Sequence, residues 1–276
     1  MIDKATGDLI FSSTQVGSMR MLFASSALLP MGLRSLKIIT TFKIGISLAV
    51  VSLAGSFIPA FLFTYAETGI SSGYTGMLNS TVPIFTLLIG AFFFRQKLLK
   101  MQIIGVLIGT IGIITLVNGV STVDTSGTYL HVMAVIFATV CYGLSTNTMR
   151  YNLSHLHPLK VTSVAFVFAF IPAVFCFFYF DTPTTIIENE HAYKAMVYIL
   201  ILAVVGTALS LILFNYLISK TSALFASSVT YLIPIVAVII GFFDGETMSW
   251  IQVFAMVIIL VGIFTANRKK KQITNK

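Results

Sequence analysis

Two segments of this chain, residues 55–94 and 206–245, align with each other without gaps. The matches include glycine, which allows close packing of helices, and proline, which removes a backbone hydrogen-bond donor. The alignment therefore predicts two copies of one helical unit. Identical positions include Gly55 with Gly206, Pro83 with Pro234, Ile89 with Ile240, and Gly90 with Gly241.

The charges at the ends of these two segments have opposite signs. Arg95 and Lys97 lie at the end of the first copy, whereas Asp244 and Glu246 lie at the end of the second. A positively charged helix end stays in the cytoplasm, so the two copies should cross a membrane in opposite directions. An inverted repeat of this kind is typical of secondary transporters, which hold substrate near the midplane where the halves meet.

Composition supports a location in the membrane. The chain is 57% hydrophobic and only 9% charged, whereas a soluble globular protein has about 25% charged residues. A spanning helix needs about 20 apolar residues, and the sequence predicts an all-α polytopic membrane protein with nine such spans. The predicted spans are 14–33, 44–66, 70–94, 101–119, 128–149, 159–180, 195–218, 221–243 and 249–267.

The loops between the predicted spans alternate between basic and acidic. Arg34 and Arg95 lie in basic loops, and Glu67 and Asp181 lie in acidic ones. This alternation follows the positive-inside rule and predicts an external N-terminus and a cytoplasmic C-terminus in the cell membrane. The net charge of +8 therefore reflects topology, and no nucleic-acid partner is expected.

Nine spans do not divide into two equal units. We expect a first repeat over residues 1–124 with four spans, and a second over residues 125–276 with five spans and a basic cytoplasmic tail. In this alignment the span at 128–149 has no counterpart, and its missing partner would precede residue 1. We therefore favour a truncated first repeat over a genuine nine-helix protein.

A set of characteristic residues follows in a fixed order along the chain, and some of them recur in the second half. They are Arg20, Tyr65, Pro83, Gly90, the glycines at 105, 109 and 112, and then Pro234, Gly241 and Glu246. Their order and repetition resemble the drug/metabolite transporter superfamily, and within it the EamA-type exporters. The resemblance implies two inverted five-helix units whose first helix is absent here. The sequence departs from the family where Phe94-Arg95 replaces the glycine–glutamate pair that the second repeat keeps as Gly245-Glu246.

Proline interrupts one predicted span in each repeat, and polar residues precede it. Every backbone polar group in hydrocarbon must be satisfied within the protein, so such an interruption needs a reason. We interpret the pair as kinked helices that face each other across a polar cavity. The alternative is that the hydroxyl groups only satisfy the kinks or join helices. The predicted substrate-binding residues beside the two prolines are Asn79, Ser80, Thr230 and Tyr231.

Four other residues complete the predicted substrate site. Tyr65 and Tyr216 are related by the repeat and lie near helix ends, where they fit alternating gates and interfacial tyrosines equally well. Tyr142 and Ser145 belong to the span without a counterpart. The family resemblance implies that this helix faces the cavity, which makes both residues candidates for its lining.

Two charged residues have both a structural and a functional interpretation. Arg20 is the basic residue deepest in a predicted span, and we interpret it as an anchor whose side chain reaches the membrane surface, in preference to a substrate ligand. Glu67 ends a predicted helix, and we interpret it as a solvated helix end in preference to a proton-coupling carboxylate. Acidic residues are lacking near the centres of the predicted spans, which favours neutral or zwitterionic substrates, or else facilitated or exchange transport.

The sequence thus predicts a transporter that exports a small polar metabolite, such as an amino acid or a derivative. The two halves would rock about Pro83 and Pro234, with Gly55 and Gly206 allowing close approach. The substrate class is implied by the family resemblance. The alternatives are a membrane enzyme acting on lipid-like substrates, and an inactive truncated transporter. We expect no metal or other cofactor. The expected partners are the substrate and the lipid bilayer, and a homodimer is compatible with the sequence.

Overall fold

The computed structural model describes residues 10–118, 125–222 and 249–267, together with six separate positions between the last two ranges. Within these residues every regular element is a helix. The helices are α1 (Ser13–Arg34), α2 (Phe42–Ser52), α3 (Ile58–Ala66), α4 (Ser72–Asn79), α5 (Val82–Phe93), α6 (Lys100–Asn118), α7 (Thr125–Asn152), α8 (Pro158–Tyr179), α9 (Thr182–Glu188), α10 (Ala192–Ala203), α11 (Ser210–Lys220) and α12 (Trp250–Asn267).

Local sequence sets where several of these helices begin. The Ser12 hydroxyl accepts a hydrogen bond from the Gln15 backbone N–H, and the Gln15 side chain accepts one from the Ser12 N–H. This reciprocal pair satisfies two backbone donors that the first turn of α1 leaves free. Thr41 and Ser71 cap α2 and α4 through single bonds of the same kind.

Seven stretches among the described residues are long and apolar enough to span a membrane, and Trp250–Ala266 is a shorter apolar helix. Eight of the nine predicted spans are therefore helical. The remaining one, residues 221–243, lies largely outside the described residues, as do the predicted site residues Thr230, Tyr231 and Pro234. The short helix α9, which follows α8, was not predicted.

The span that contains Pro83 is broken into two helices. We predicted a kink with Pro83 in the middle of a continuous helix, and this is wrong, because α4 ends at Asn79 and Pro83 lies in the first turn of α5. Proline suits that position, since the first turn of a helix does not use its N–H groups. The Thr81 carbonyl oxygen closes the turn by accepting the Ile84 N–H at 2.9 Å.

Two other spans contain a π-helical turn. Leu53–Phe57 joins α2 to α3, and Val204–Leu209 joins α10 to α11. The first turn contains Gly55 and the second contains Gly206, the two glycines that begin the sequence repeat. A π-helical turn inserts an extra residue into the helix and is often found at functional sites.

Two pairs of helices pack most extensively, α1 against α8 and α6 against α12. Glycine allows the α6–α12 backbones to approach closely: a Cβ atom at Gly262 would lie 2.5 Å from the Gly109 nitrogen and 2.7 Å from the Gly105 oxygen. Small residues commonly permit such contact in membranes. Helix α7 packs against both α3 and α5, so it lies between spans of the predicted first repeat although we assigned it to the second.

Candidate functional site

A cavity of about 410 Å³ lies between the two predicted repeats. Helices α1, α2, α4 and α5 and the first π-helical turn border it from one predicted repeat, and α7, α8, α11 and the second π-helical turn border it from the other. This volume lies within the range of about 300–1,000 Å³ that small-molecule sites occupy. The cavity is therefore the candidate binding site.

Most of the cavity wall is apolar, and a few polar side chains interrupt it. The apolar part includes Val82, Phe166 and Phe214. An apolar wall with few polar groups is typical of a site that excludes water around its ligand and fixes the ligand's orientation through a small number of hydrogen bonds. The polar side chains on the wall are Arg20, Ser56, Asn79, Tyr142, Ser145, Thr146, Thr162, Thr207, Ser210 and Asn215.

Arg20 is the only charged side chain among the described residues that line the cavity. Its Nε donates a hydrogen bond to the Thr207 hydroxyl oxygen at 2.8 Å. The bond joins α1 to the second π-helical turn, across the boundary between the predicted repeats. Thr207 in turn donates to the Leu202 carbonyl oxygen at 3.2 Å, which fixes the hydroxyl that Arg20 contacts.

This position corrects our interpretation of Arg20 as an anchor that reaches the membrane surface. The side chain instead extends into the protein and meets Thr207. The sequence did contain an indication of a functional role for Arg20, because an ionisable residue deep in a membrane span is by default a candidate for function. The depth of the residue could not show toward which neighbouring helix its side chain turns.

Asn79 lines the cavity at the last turn of α4, just before the break in that span. Its side-chain oxygen Oδ1 is buried and has no hydrogen-bond partner among the described residues. A buried carbonyl oxygen without a donor is unfavourable by about 1–3 kcal/mol. Asn79 therefore offers an acceptor for an N–H or O–H group of a bound molecule.

Most of the other polar groups on the wall bond to their own helices. The Ser56 hydroxyl donates to the Ser52 carbonyl oxygen at 2.8 Å, and the Ser210 hydroxyl donates to the Gly206 carbonyl oxygen at 2.6 Å. Such bonds satisfy hydroxyl groups where helix geometry is disturbed. Asn215 differs, because its amide donates to the Thr162 hydroxyl of α8 at 2.9 Å.

Tyr142 and Ser145, predicted for the lining, both lie on the cavity wall. The Tyr142 ring stacks on the ring of Phe63, with centroids 5.8 Å apart. Ser145 lies directly against Gly55, where a Cβ atom would collide with the serine hydroxyl. The predicted glycines also lie on the wall, since Gly55 and Gly206 both border the cavity.

Three predicted ligands lie away from the described cavity wall. The Ser80 hydroxyl donates to the Met77 carbonyl oxygen at 2.6 Å, so it stabilises the helix break. Tyr65 is exposed and stacks on His131, and Tyr216 is exposed beneath the Lys220 ammonium group. The structure thus brings together Asn79, Tyr142 and Ser145 but not these three. Glu67 caps α3 and is exposed.

Potential metal ligands are not clustered in the described part of the chain. No group of three or more His, Cys, Asp or Glu residues there is placed to hold a metal ion. The cavity wall offers one cation, amides, hydroxyls and apolar surface. Groups of these kinds are suited to binding and orienting a small molecule.

A sequence profile of the EamA-like transporter family matches residues 6–118 and 130–268. The chain belongs to this family. It is a membrane protein of the transporter type, as the resemblance in its glycine, proline and arginine positions implied.

Relatives are named in the same terms. The chain is 26% identical over 205 residues to an uncharacterized transporter of Archaeoglobus fulgidus, covering 74% of this chain and 71% of the relative. It is 26% identical over 211 residues to an uncharacterized inner membrane transporter of Escherichia coli, covering 73% and 66%. It is 24% identical over 219 residues to a probable amino-acid metabolite efflux pump of Salmonella typhimurium, covering 74% and 70%.

The fold also resembles that of a protein known from a crystal structure. The superposition has a TM-score of 0.61 and covers 93% of this chain and 88% of the other, at 14% sequence identity. At this identity the likeness concerns the fold alone. The transporter assignment therefore rests on the family match and on the named relatives.

Proposed function

We propose that this EamA family member exports a small polar metabolite, such as an amino acid or a derivative, from the cytoplasm across the cell membrane. The cavity between the two repeats is the substrate site. The observation that carries the proposal is that residues of both repeats supply polar groups to one cavity, with Arg20 and Asn79 from the first and Tyr142 and Thr207 from the second.

The arrangement of helices is consistent with two related halves. Sequence alignment of the repeats pairs α1 with α8 and α6 with α12, and each of these pairs is in direct contact. Helix α1 also packs on α10, as α8 packs on α2. A two-fold relation between residues 1–124 and 125–276 would produce this pattern of contacts, and inverted halves of this kind bind substrate at their interface.

Alternating access requires helices that can change direction beside the site. Three features border the cavity and provide this: the break after Asn79, and the π-helical turns at Gly55 and Gly206. Backbone at a break or π-helical turn lacks part of the regular hydrogen bonding and bends more readily. Rocking about these points would expose the cavity to each side of the membrane in turn.

The substrate class follows from the wall and from one relative. The wall combines amide and hydroxyl groups with apolar surface, which suits a small compound with a polar end. The Salmonella relative is named a probable amino-acid metabolite efflux pump. Both observations support amino acids or their derivatives.

Metabolite profiling of the culture medium tests the proposal. Cells that express the parent chain are compared with cells that express Asn79→Ala, Thr110→Ala or no transporter, at equal membrane abundance. Thr110 is a matched control, because it is exposed on α6 and its hydroxyl bonds, among the described residues, only to the Val106 carbonyl oxygen. We expect a compound to accumulate outside with the parent and with Thr110→Ala, and much less with Asn79→Ala. Equal metabolite concentrations in the medium of cells that express the parent chain and of cells without the transporter would contradict export.

Orientation needs a separate test. With Cys141 and Cys176 replaced by alanine, single cysteines at Glu67 and Lys97 are exposed to a membrane-impermeant thiol reagent. We expect labelling at position 67 in intact cells and at position 97 only after the cells are opened. The opposite pattern would reverse the proposed topology, including the cytoplasmic C-terminus.

A further inference from the structure

We propose that Arg20 is the group in this cavity that binds a negatively charged carboxylate of the transported compound, and that Thr207 holds the arginine in position to do so. The inference rests on the proposed function, because it assigns a recognition role within the same cavity. It gives the site a charge requirement that the transporter family assignment does not contain.

Arg20 has unused hydrogen-bonding capacity. A guanidinium group carries five N–H donors, and the one bond that Arg20 forms among the described residues uses Nε. No carboxylate pairs with it in the described part of the chain, and no Asp or Glu lies on the described cavity wall. Among the described residues, the two terminal nitrogens of Arg20 therefore remain for a ligand.

A charge inside a membrane span normally has a partner. Buried charges in proteins are paired, because an isolated ion away from water is strongly unfavourable. Arg20 is half-buried beside a cavity of about 410 Å³, which is large enough for a small molecule. A carboxylate on that molecule would complete the pairing, and the planar guanidinium matches its two oxygens.

Thr207 acts as a positioning residue. Its hydroxyl accepts the Arg20 Nε–H and donates to the Leu202 carbonyl oxygen, so its own orientation is fixed. This bond holds one edge of the guanidinium and leaves its terminal nitrogens without a bond to any described residue. Thr207 also lies in the second π-helical turn, so a ligand bound to Arg20 connects α1 to a turn that we expect to move during transport.

Efflux from vesicles tests the charge requirement directly. The full chain is reconstituted into liposomes loaded with the twenty L-amino acids and with their carboxamides, which lack the carboxylate, and release is measured by mass spectrometry. We expect the parent to release one or more amino acids at least about tenfold faster than the matching carboxamides, a discrimination equivalent to about 1.4 kcal/mol.

Variants separate binding of the anion from a merely structural role. Arg20→Gln should lose the preference for the carboxylate, and Arg20→Lys should keep it at a lower rate because the positive charge remains. Thr207→Val has nearly the same shape but no hydroxyl, so release should slow while the preference persists. If Arg20 serves only to hold Thr207, Arg20→Gln and Thr207→Val should behave alike, which would overturn the proposal.

The comparison of acids with amides needs no variant, so it remains decisive if Arg20→Gln fails to fold. Release of carboxamides as fast as amino acids would show that transport occurs without recognition of a carboxylate, and the proposal for Arg20 would be wrong. Release of neither class above that from protein-free vesicles would overturn the proposed export of amino acids, and the role of Arg20 with it.

Discussion

The two π-helical turns occupy equivalent positions in the sequence repeat but use their side chains differently. In the first, the Ser56 hydroxyl donates to the Ser52 carbonyl oxygen of its own helix. In the second, the equivalent residue is Thr207, which accepts a bond from Arg20 of another helix. The hydroxyl of the first turn thus bonds within its own span, whereas the hydroxyl of the second turn also connects two helices beside the cavity.

The helices that border the cavity differ in the same way. Helix α1 supplies the charged Arg20, whereas α8, its counterpart in the repeat, supplies only the uncharged residues Thr162, Ala165 and Phe166 to the described cavity wall. The π-helical turns of the two halves lie at equivalent positions in the repeat, whereas the chemistry of the side chains beside them differs. This separation suggests that the repeated backbone serves movement, and that side chains present in one half alone serve recognition.

Alanine at the two repeated glycines should give the largest difference between the halves. At Gly55 a Cβ atom would collide with the Ser145 hydroxyl, and at Gly206 it would lie 3.1 Å from the flexible end of Leu202. We expect Gly55→Ala to destabilise the protein by about 1–3 kcal/mol, and Gly206→Ala to change stability by less than about 0.5 kcal/mol. Thermal unfolding of the purified proteins in detergent measures both.

A double variant identifies the cause. Adding Ser145→Ala to Gly55→Ala removes the hydroxyl that the new methyl group meets, and it should recover part of the lost stability. If the two alanine variants lose equal stability, or if the double variant recovers none, the first turn is not the more tightly packed one.

The paired hydroxyls should differ in transport. Thr207→Val removes the hydroxyl that positions Arg20, and we expect efflux to fall about fivefold, equivalent to about 1 kcal/mol. Ser56→Ala removes a bond within one helix and should leave efflux within about twofold of the parent. Initial efflux rates from liposomes with equal protein content measure the effect of each variant. Similar losses for both would mean that the turns contribute alike.

A smaller difference is expected for the pair Thr64 and Asn215. The Asn215 amide bonds to Thr162 on another helix, whereas the Thr64 hydroxyl bonds to carbonyl oxygens of its own helix. Polar bonds between membrane helices contribute about 0.6 kcal/mol on average, so Asn215→Ala should lower stability by about that amount. Thr64→Ala should have no measurable effect in the same unfolding experiment, and the reverse order would contradict this assignment.

The sequence predicted the features that depend on position along the chain. Long apolar stretches predict spans, and the repeated glycines and Pro83 indicate where the backbone departs from a regular helix. The place of Asn79 on the cavity wall was predicted in the same way, since polar residues are conspicuous in apolar segments, and its role as a ligand stays a prediction. These predictions succeed because depth and helix length follow from hydrophobicity and from the rise of the helix.

The sequence could not predict the features that depend on rotation around a helix axis and on neighbouring helices. Arg20 lies at a depth from which its side chain has room to turn toward the membrane surface, and packing against the second π-helical turn directs it inward. The repeated glycines mark where the π-helical turns lie, but nothing in their pattern shows that the helix gains one residue there. Ser80 was grouped with Asn79 because they are adjacent, although successive residues on a helix point in different directions.

Substitutions at the two tyrosines should have the smallest effect on efflux. They also test whether positions that are equivalent in the sequence repeat both contribute to the substrate site. Tyr65 and Tyr216 are equivalent in sequence, but both are exposed and lie off the described cavity wall. Phenylalanine at either position keeps the ring that stacks on His131 or faces Lys220 and removes only the hydroxyl. We expect efflux within about twofold of the parent for both variants. A larger loss at either position would show that the transport path extends beyond the cavity, and that the halves are more alike in function than their cavity-lining side chains indicate.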